Sequence, residues 1–498
     1  MNRMLIEVLD GKDCIGGSKI LISEKNFSFF LDFGNNFSKY GEYFEEFLSP
    51  RVGTGIFDLW RLNLIPKINN IYREDLFPPY LKEKVREINL ISVFLSHAHL
   101  DHAGLISILK EDIPIITSST SIKFLKGIET INATTLNEFT IIKKRNWEKD
   151  EDFNEILSKS ARGKKKKNDN TEEEVTNLKD RNFIKIEKDL EENKIEDIKY
   201  ISYKTDHSIF GSLGFFIEID GKGIAYTGDI RFHGKNSNFS YKFVEEIKNK
   251  KPDILITEGT RKRDERVNKK EKDVYDASIE VVRNYKGKIV IADFGPRNIE
   301  RLETFLKIAK ETDRKILITY KDALLLDLLK DENNIIDDED VNIIHEKKLD
   351  KSSYIKEIKE KYKDKIITPK ILNENQGEFI VCYSFFDLVN LLDLEISKGA
   401  YIYSTSEAYT EEQEFDIKRL FNWIKFFNLN IFGIEIYGND FKFTGNYHSS
   451  GHASFDDIIW MINEIDPKYI MPVHTENIGE FIKIFGEKRV IKEEVFEL

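Results

Sequence analysis

The feature that most constrains this chain is VFLSHAHLDHAG, Val93 to Gly104, where three histidines and one aspartate fall within six residues. The whole chain of 498 residues has only nine histidines. Val93, Phe94 and Leu95 read as the end of a buried strand, and DHAGLISILKE reads as the helix that follows. A strand that ends in a turn before a helix can aim several side chains at one point. Neutral imidazole nitrogens and carboxylate oxygens are the donors that divalent metals take. His97 and His99 can face one ion, and Asp101 and His102, at the turn, can face a neighbouring one. A lone aspartate here would be a helix cap and a lone histidine a satisfied core residue. Four such residues together exceed both roles.

Other histidines recur at strand ends or turns: His207 in TDHSIFGSLGFF, His452 in HSSGHAS and His474 in MPVHTE. Asp229, in YTGDIRFHG, follows a strand, where a carboxylate can bridge two ions. His345 stands far from these motifs, and His233 and His448, which flank them, read as surface histidines. Two bridged ions suit phosphoryl displacement. They generate a hydroxide at neutral pH and clamp both the attacking and the leaving oxygen.

Composition narrows the classes. At 40% hydrophobic and 33% charged residues, the chain reads as soluble and globular, and its length predicts two or three domains. Two cysteines, Cys14 and Cys382, are too few for a disulfide framework. The N-terminus MNRMLIEVLDGKDC has neither the apolar run nor the cleavage site of a signal peptide. The most apolar stretch, FIVCYSFFDLVNLLDLEI, is interrupted by Asp387, Asn390 and Asp393, a poor membrane span. A cytoplasmic protein with no membrane partner is expected. The net charge of -12 weakens a nucleic-acid reading without excluding it, because bound divalent ions add positive charge locally.

Along the chain, KILISE, FSFFLDFG, INLISVFLS, IPIITS and FTIIKK read as strands, with STSIKFLKGIE a helix. From about 146 to 197 the sequence is highly charged and reads as a solvated helical or disordered insertion. Its lysine run, 164–167, reads as a charged surface loop more readily than as a nucleic-acid contact. After Arg261, strand and helix patterns alternate: GKIVIADF, RKILITYK, GEFIVCYSF and GAYIYSTS are each followed by a helical run. Such alternation predicts a parallel α/β domain. The chain closes on FDDIIWMINEI, with Phe455, Ile458, Ile459 and Ile462 on one helical face, and the strand KYIMPVHTE.

HAHLDH resembles the metallo-β-lactamase superfamily, and three further motifs resemble its β-CASP nucleases. These are LITEGT with Glu258, SSGHAS with His452 and MPVHTE with His474. DHSIFGSLGF and SGHAS look most like ribonuclease J. The resemblance implies an αββα metallo-β-lactamase sandwich carrying an inserted parallel α/β β-CASP domain. The expected division is 1–260 for the first part of the core, 261–437 for the insertion and 438–498 for the return segment. It implies that His97, His99 and His207 hold a first ion. Asp101, His102 and His474 would hold a second, with Asp229 bridging. The ions would be two divalent metals, zinc first, with manganese or magnesium as alternatives. Asp32, in FLDFG, would orient a metal-binding histidine without touching metal. His452 would contact the scissile phosphate or protonate the leaving oxygen, and Glu258 would hold and polarise it. Ser449, Ser450 and Gly451 in the HSSG turn, and Ser404 and Ser406 in YSTSE, would contact substrate phosphates.

The implied activity is hydrolysis of RNA by a two-metal hydroxide mechanism, as a 5′-to-3′ exonuclease, an endonuclease or both, in RNA processing or decay. The implied partner is single-stranded RNA, and a homodimer is compatible with the resemblance. A histidine at 474 resembles RNA-processing members rather than the DNA-cutting ones. Bacterial ribonuclease J carries an extra C-terminal domain, and this chain ends 24 residues after His474. A DNA nuclease of the same fold and a small-molecule metallo-hydrolase are the alternatives. A non-catalytic RNA-binding scaffold would be expected to lack ligands, and here each ligand position is filled.

Overall fold

The computed structural model describes residues 4–45, 47–81, 83–150, 154–157, 178–263, 268–347, 352–405, 411–437 and 440–498. Ser406 and the lysine run 164–167 lie outside the described residues. Two sheets stack to form one half of the molecule. The first runs Phe183–Ile186, Ile115–Ser118, Leu90–Phe94, Phe27–Leu31, Lys19–Glu24, Leu5–Asp10 and Val495–Glu497. The second runs Glu192–Ile195, Ile198–Lys204, Leu213–Ile219, Lys222–Tyr226, Ile254–Glu258 and Tyr469–Val473.

The strand period of two explains the layering. Ile20, Ile22, Phe29, Leu31 and Phe94 point between the sheets, where they meet Phe215, Ile217, Ile254, Ile256 and Met471. The intervening Leu21, Phe30 and Val93 point to the opposite face, under the helix Ser119–Ile131. On the outer face of the second sheet, Phe216, Leu255 and Ile470 meet Phe243 and Val244 of the helix Ser237–Lys250, and Ile458 and Ile462 of Phe455–Ile465. The result is an αββα sandwich. Strands buried on both faces are apolar at successive positions, as Ile254, Leu255 and Ile256 are, and Val93 and Phe94. Each large apolar side chain so buried contributes roughly 1.5–3 kcal/mol.

The second sheet is interrupted in sequence. Its strand Ile254–Glu258 pairs with Tyr469–Val473, in parallel register from Ile254 opposite Tyr469 to Glu258 opposite Val473. Between them lies a third, wholly parallel sheet, ordered Ile366–Ile367, Val341–Ile344, Lys315–Ile318, Phe379–Tyr383, Ile289–Asp293, Gly399–Tyr403 and Leu429–Phe432. This inserted layer shares a continuous apolar core with the first sheet's helix. Where Ser119–Ile131 meets Tyr320–Leu328, a Cβ on Gly127 would stand 2.3 Å from Leu325 Cδ2.

Two sequence expectations change. The stretch 146–197 was expected to be helical or disordered, yet its described parts are strands: Trp147–Asp150, Asn154–Leu157, Leu178–Asp180, Phe183–Ile186 and Glu192–Ile195. Phe183–Ile186 adds in parallel to Ile115–Ser118, with Phe183 packed on one face of the sheet and Ile184 and Ile186 on the other. DHAGLISILKE was expected to be one helix, but only Leu100–Ala103 is α-helical, followed by a short tighter turn at Ile106–Ile108. Gly104 ends the first turn, packed so closely that a Cβ would lie 2.4 Å from the Leu100 carbonyl oxygen.

Candidate metal centre

The site forms where strands of the two stacked sheets end on one edge. Phe27–Leu31 and Leu90–Phe94 are parallel, so Asp32 and His97 emerge together. Lys222–Tyr226, Ile254–Glu258 and Tyr469–Val473 are also parallel, which brings Asp229, Glu258 and His474 to one edge. Ile198–Lys204 is two antiparallel steps from Lys222–Tyr226 and runs the same way, delivering His207. Asp32 and His474 have left-handed backbones, with φ of 56° and 51°. Aspartate and histidine tolerate this conformation better than most residues, and here it turns the chain sharply at the strand end.

Three sets of donors converge: His97, His99, His207 and Asp229; Asp101, His102 and His474; and Asp229, Glu258 and His452. Within each set, one donor atom per residue lies within 4.8 Å of the others. Asp229 Oδ2 stands 3.7 Å from His97 Nε2, 3.6 Å from His207 Nε2 and 3.2 Å from His102 Nε2, between the first two sets.

Hydrogen bonds on the far side of each ring determine which nitrogen faces inward. His102 Nδ1 donates to Asp32 Oδ2 at 2.7 Å. Ser96 Oγ donates to the same oxygen at 2.8 Å, so it accepts from His97 Nδ1 at 2.9 Å. His207 Nδ1 donates to the Gly451 carbonyl at 2.6 Å. Thr260 Oγ1 donates to Glu258 Oε2 at 2.6 Å and accepts from His474 Nδ1 at 2.9 Å. With each Nδ1 carrying its proton, each Nε2 presents a lone pair inward.

That arrangement suits cations. His97 Nε2 and His207 Nε2 both face His99 Nδ1, at 3.1 and 3.0 Å. His474 Nε2 faces Asp101 Oδ2 at 3.1 Å. Asp229 Oδ1 and His102 Nε2 are buried without hydrogen-bond partners. Burial, and then the neighbouring imidazoles, hold His97 and His99 well below the usual histidine range. Burial lowers His207 to about 3. These rings are therefore neutral, the form a metal requires. Burial disfavours charge on His102 too, but Asp229, Asp101 and Asp32 outweigh it and hold its pKa well above normal. A field that would keep a proton there also attracts a divalent cation. The residues present fit divalent metal binding.

Beside the clusters, Glu258 Oε1 accepts from the Ile230 main-chain N–H at 2.7 Å, and Oε2 meets His452 Nδ1 at 2.9 Å. Burial alone would lower the pKa of His452, but Glu258 and Asp229 outweigh it and raise it to about 9. His452 thus has Nδ1 anchored and Nε2 directed elsewhere.

The expected phosphate contacts are placed less uniformly. Ser404 Oγ donates to the Tyr447 carbonyl at 2.6 Å and lies 2.5 Å from Arg301 Nη1. Ser449 Oγ donates to the Lys269 carbonyl at 2.9 Å. Both hydroxyls tie chain segments together and are not presented to a substrate, which corrects the expectation for these two. Ser450 Oγ accepts from the His452 N–H at 3.1 Å, leaving its own proton to be directed, and Gly451 serves through its carbonyl on His207. His233 and His448 are not surface residues. Both are buried, His233 against the Ser450 carbonyl and His448 between the Thr405 and Gly433 carbonyls, because the strand-end loops leave main-chain oxygens to satisfy.

Sequence reasoning passed over Ser96, Tyr226, Thr260 and Gly34. Tyr226 OH donates to Asp32 Oδ2 at 2.5 Å, completing the cage around that carboxylate. Ser96 and Thr260 adjoin or share quoted motifs, yet nothing local shows what their hydroxyls meet. A Cβ on Gly34 would lie 1.7 Å from the Asp101 carbonyl oxygen, so only glycine lets this strand end pass behind the ligand turn. Gly34→Ala is expected to destabilise the fold by at least the roughly 1–3 kcal/mol typical of overpacking. Thermal unfolding and metal content per chain would check this, and an unshifted melting temperature would contradict it.

The fold is consistent with a metallo-β-lactamase αββα sandwich carrying an inserted β-CASP domain. A profile described as the Zn-dependent metallo-hydrolase RNA specificity domain matches residues 445–477, which include His452 and His474. Over 411 residues, 81% of this chain, it is 23% identical to the ribonuclease J of Mycoplasma genitalium. It is 20% identical over 400 residues to that of Mycoplasma pneumoniae. The chain is ribonuclease J-like. It spans about 60% of the length of the first of these relatives and 59% of the second. A crystal structure of a protein of unknown function from Enterococcus faecalis shares the fold, with a TM-score of 0.67, 20% identity and full coverage of both chains. Among the described residues no helix is long and apolar enough to cross a membrane.

Proposed function

We propose that this chain is a metal-dependent ribonuclease that hydrolyses phosphodiesters of single-stranded RNA, from the 5′ end, internally or both. The observation that carries the reading is the position of Asp229 between two histidine clusters, with the Glu258–His452 pair alongside. In this reading 1–260 and 438–498 form the catalytic core, and 261–437 is an inserted domain that helps hold the RNA. The similarity to ribonucleases J supports RNA over DNA as substrate. The proposed setting is the cytoplasm.

Two divalent ions are proposed, zinc first, with manganese or magnesium as alternatives. His97, His99 and His207 would hold one, Asp101, His102 and His474 the other, and Asp229 both. Such ions, when bound, activate water and offset charge on the phosphate oxygens. The remaining steps belong to the chain's own residues. Asp32, through His102 and Ser96, keeps two imidazoles in the ligating tautomer. Thr260 does the same for His474. Glu258 holds the proton on His452 Nδ1, so His452 Nε2–H is positioned as the acid for the departing oxygen. As the P–O bond breaks, that oxygen takes the proton, and water supplies the hydroxyl that remains on phosphorus.

The test is digestion of 5′-labelled RNA, as monophosphate and triphosphate, beside DNA of the same sequence, with zinc, manganese or magnesium. RNA should be cut faster than DNA, and chelation should stop it. Mononucleotide products would identify exonuclease action, and longer fragments endonuclease action. Equal or faster cutting of DNA would transfer the reading to a DNA nuclease. If neither polymer is cut while small esters are, the protein is a small-molecule hydrolase.

A further inference from the structure

Arg297 belongs to no motif of the sequence. It lies in FGPRN, between the strand Ile289–Asp293 of the parallel sheet and Asn298, which caps the helix Ile299–Glu311. Although it comes from the inserted layer, it stands three residues before Glu300, which pairs with Arg231, and Arg231 in turn pairs with Asp206 beside His207 and donates to the Ser450 carbonyl. Arg297 lowers the pKa of His99, after burial and His207, and it feels the charge of Asp101.

Its bonding sets it apart. Nη1 of Arg297 is shielded from solvent and has no hydrogen-bond partner. The buried guanidiniums of three other arginines are paired: Arg73 with Asp75 and Glu138, Arg231 with Asp206 and Glu300, Arg301 with Glu271, whereas Arg297 is only partly buried. Arg181 is satisfied by carbonyls of Phe139, Lys110, Ser107 and Leu109. An unmet buried donor is costly, the more so when charged. A cation next to clusters suited to further cations adds repulsion. Both penalties disappear if an anion enters between them. Two residues before Arg297, a Cβ on Gly295 would meet nothing within 4 Å, so the loop borders open space. A guanidinium fork matches phosphate oxygens, and unlike lysine it offers two parallel donors.

We propose that Arg297 donates to a non-bridging oxygen of the phosphate bound at the histidine–aspartate clusters, clamping it from the side of the inserted sheet. This rests on the reading of the site as a phosphodiester site. It makes the inserted layer a direct contributor to phosphate binding and not only a wall of the cleft.

The experiment is calorimetric titration of inorganic phosphate into the zinc-loaded full chain, freed of excess metal, for wild type, Arg297→Gln and Arg297→Lys. Zinc content and melting temperature would be measured on the same samples. Loss of the fork should weaken phosphate binding about tenfold or more in Arg297→Gln, with zinc content unchanged. Arg297→Lys, which keeps the charge but not the fork, should recover only part of that loss. Equal affinity in wild type and Arg297→Gln, or no phosphate binding by wild type, would overturn the proposal. So would loss of zinc from Arg297→Gln, which would make Arg297 a support for Asp101. RNA cleavage is scored separately. Wild type that binds phosphate through Arg297 but cuts no RNA sinks the ribonuclease reading and leaves this one standing. Wild type that cuts RNA, with phosphate affinity indifferent to Arg297, does the reverse.

Discussion

Asp229→Ala is expected to abolish RNA hydrolysis in a chain that still folds. Asp229 is fully enclosed, with His97, His102 and His207 nitrogens 3.2 to 3.7 Å from one of its oxygens and no partner on the other. Burial favours the neutral acid, but His102, His474 and His452 outweigh it and keep the carboxylate ionised. Removing it takes one negative charge from the point shared by both ligand clusters. Loss of an outer partner of a metal ligand typically weakens affinity about 10–100-fold, and loss of a shared ligand should exceed that. The alanine shortens a side chain at a strand-end loop outside the apolar layers, so the sandwich core is untouched. Metal content per chain, circular dichroism and turnover in zinc-replete buffer would check this. Undiminished turnover there would refute the bridging role.

The second large effect concerns the His452–Glu258 pair. His452→Ala is expected to keep its metal and lose turnover by about 10²–10⁴-fold, the range for removing a positioned acid. Loss of metal instead would make His452 a ligand. Glu258 gives the same argument a sign. An acid must be protonated to act, so the rate falls as pH rises through the pKa of His452. Glu258 and Asp229 raise that pKa to about 9 against the opposing effect of burial. Glu258→Gln keeps the shape but removes the charge at 2.9 Å, so the pKa should fall toward the ordinary 6.5. The alkaline limb of the rate profile should therefore move to lower pH. A limb that stays in place would mean that the proton comes from another group.

How much of this was legible in sequence depends on how local each signal is. HAHLDH and the histidines at strand ends were visible because ligand type and spacing are properties of a few residues. The alternating strands and helices after Arg261 were visible because a parallel sheet buried on both faces demands apolar runs. The stretch 146–197 misled, since strands such as Leu178–Asp180 and Glu192–Ile195 are charged and largely exposed, and are held by pairing with their neighbours. Ser404 and Ser449 misled for a related reason. A serine in a turn is ambiguous until its hydroxyl's partner is known, and the partners are Tyr447 and Lys269. Arg297 gave no signal, because its meaning lies in a partner it lacks.

The chain's sequence by itself determined the donor types, their placement at strand ends and the succession of layers, since short-range pattern carries these. Only the tertiary structure decided which nitrogen of each histidine faces inward. That depends on hydrogen bonds such as Asp32 to His102, 70 residues apart, and His207 to Gly451, 244 apart. A ring's tautomer is set by whatever meets its far side, and for His102, His207 and His474 that group comes from a distant part of the chain.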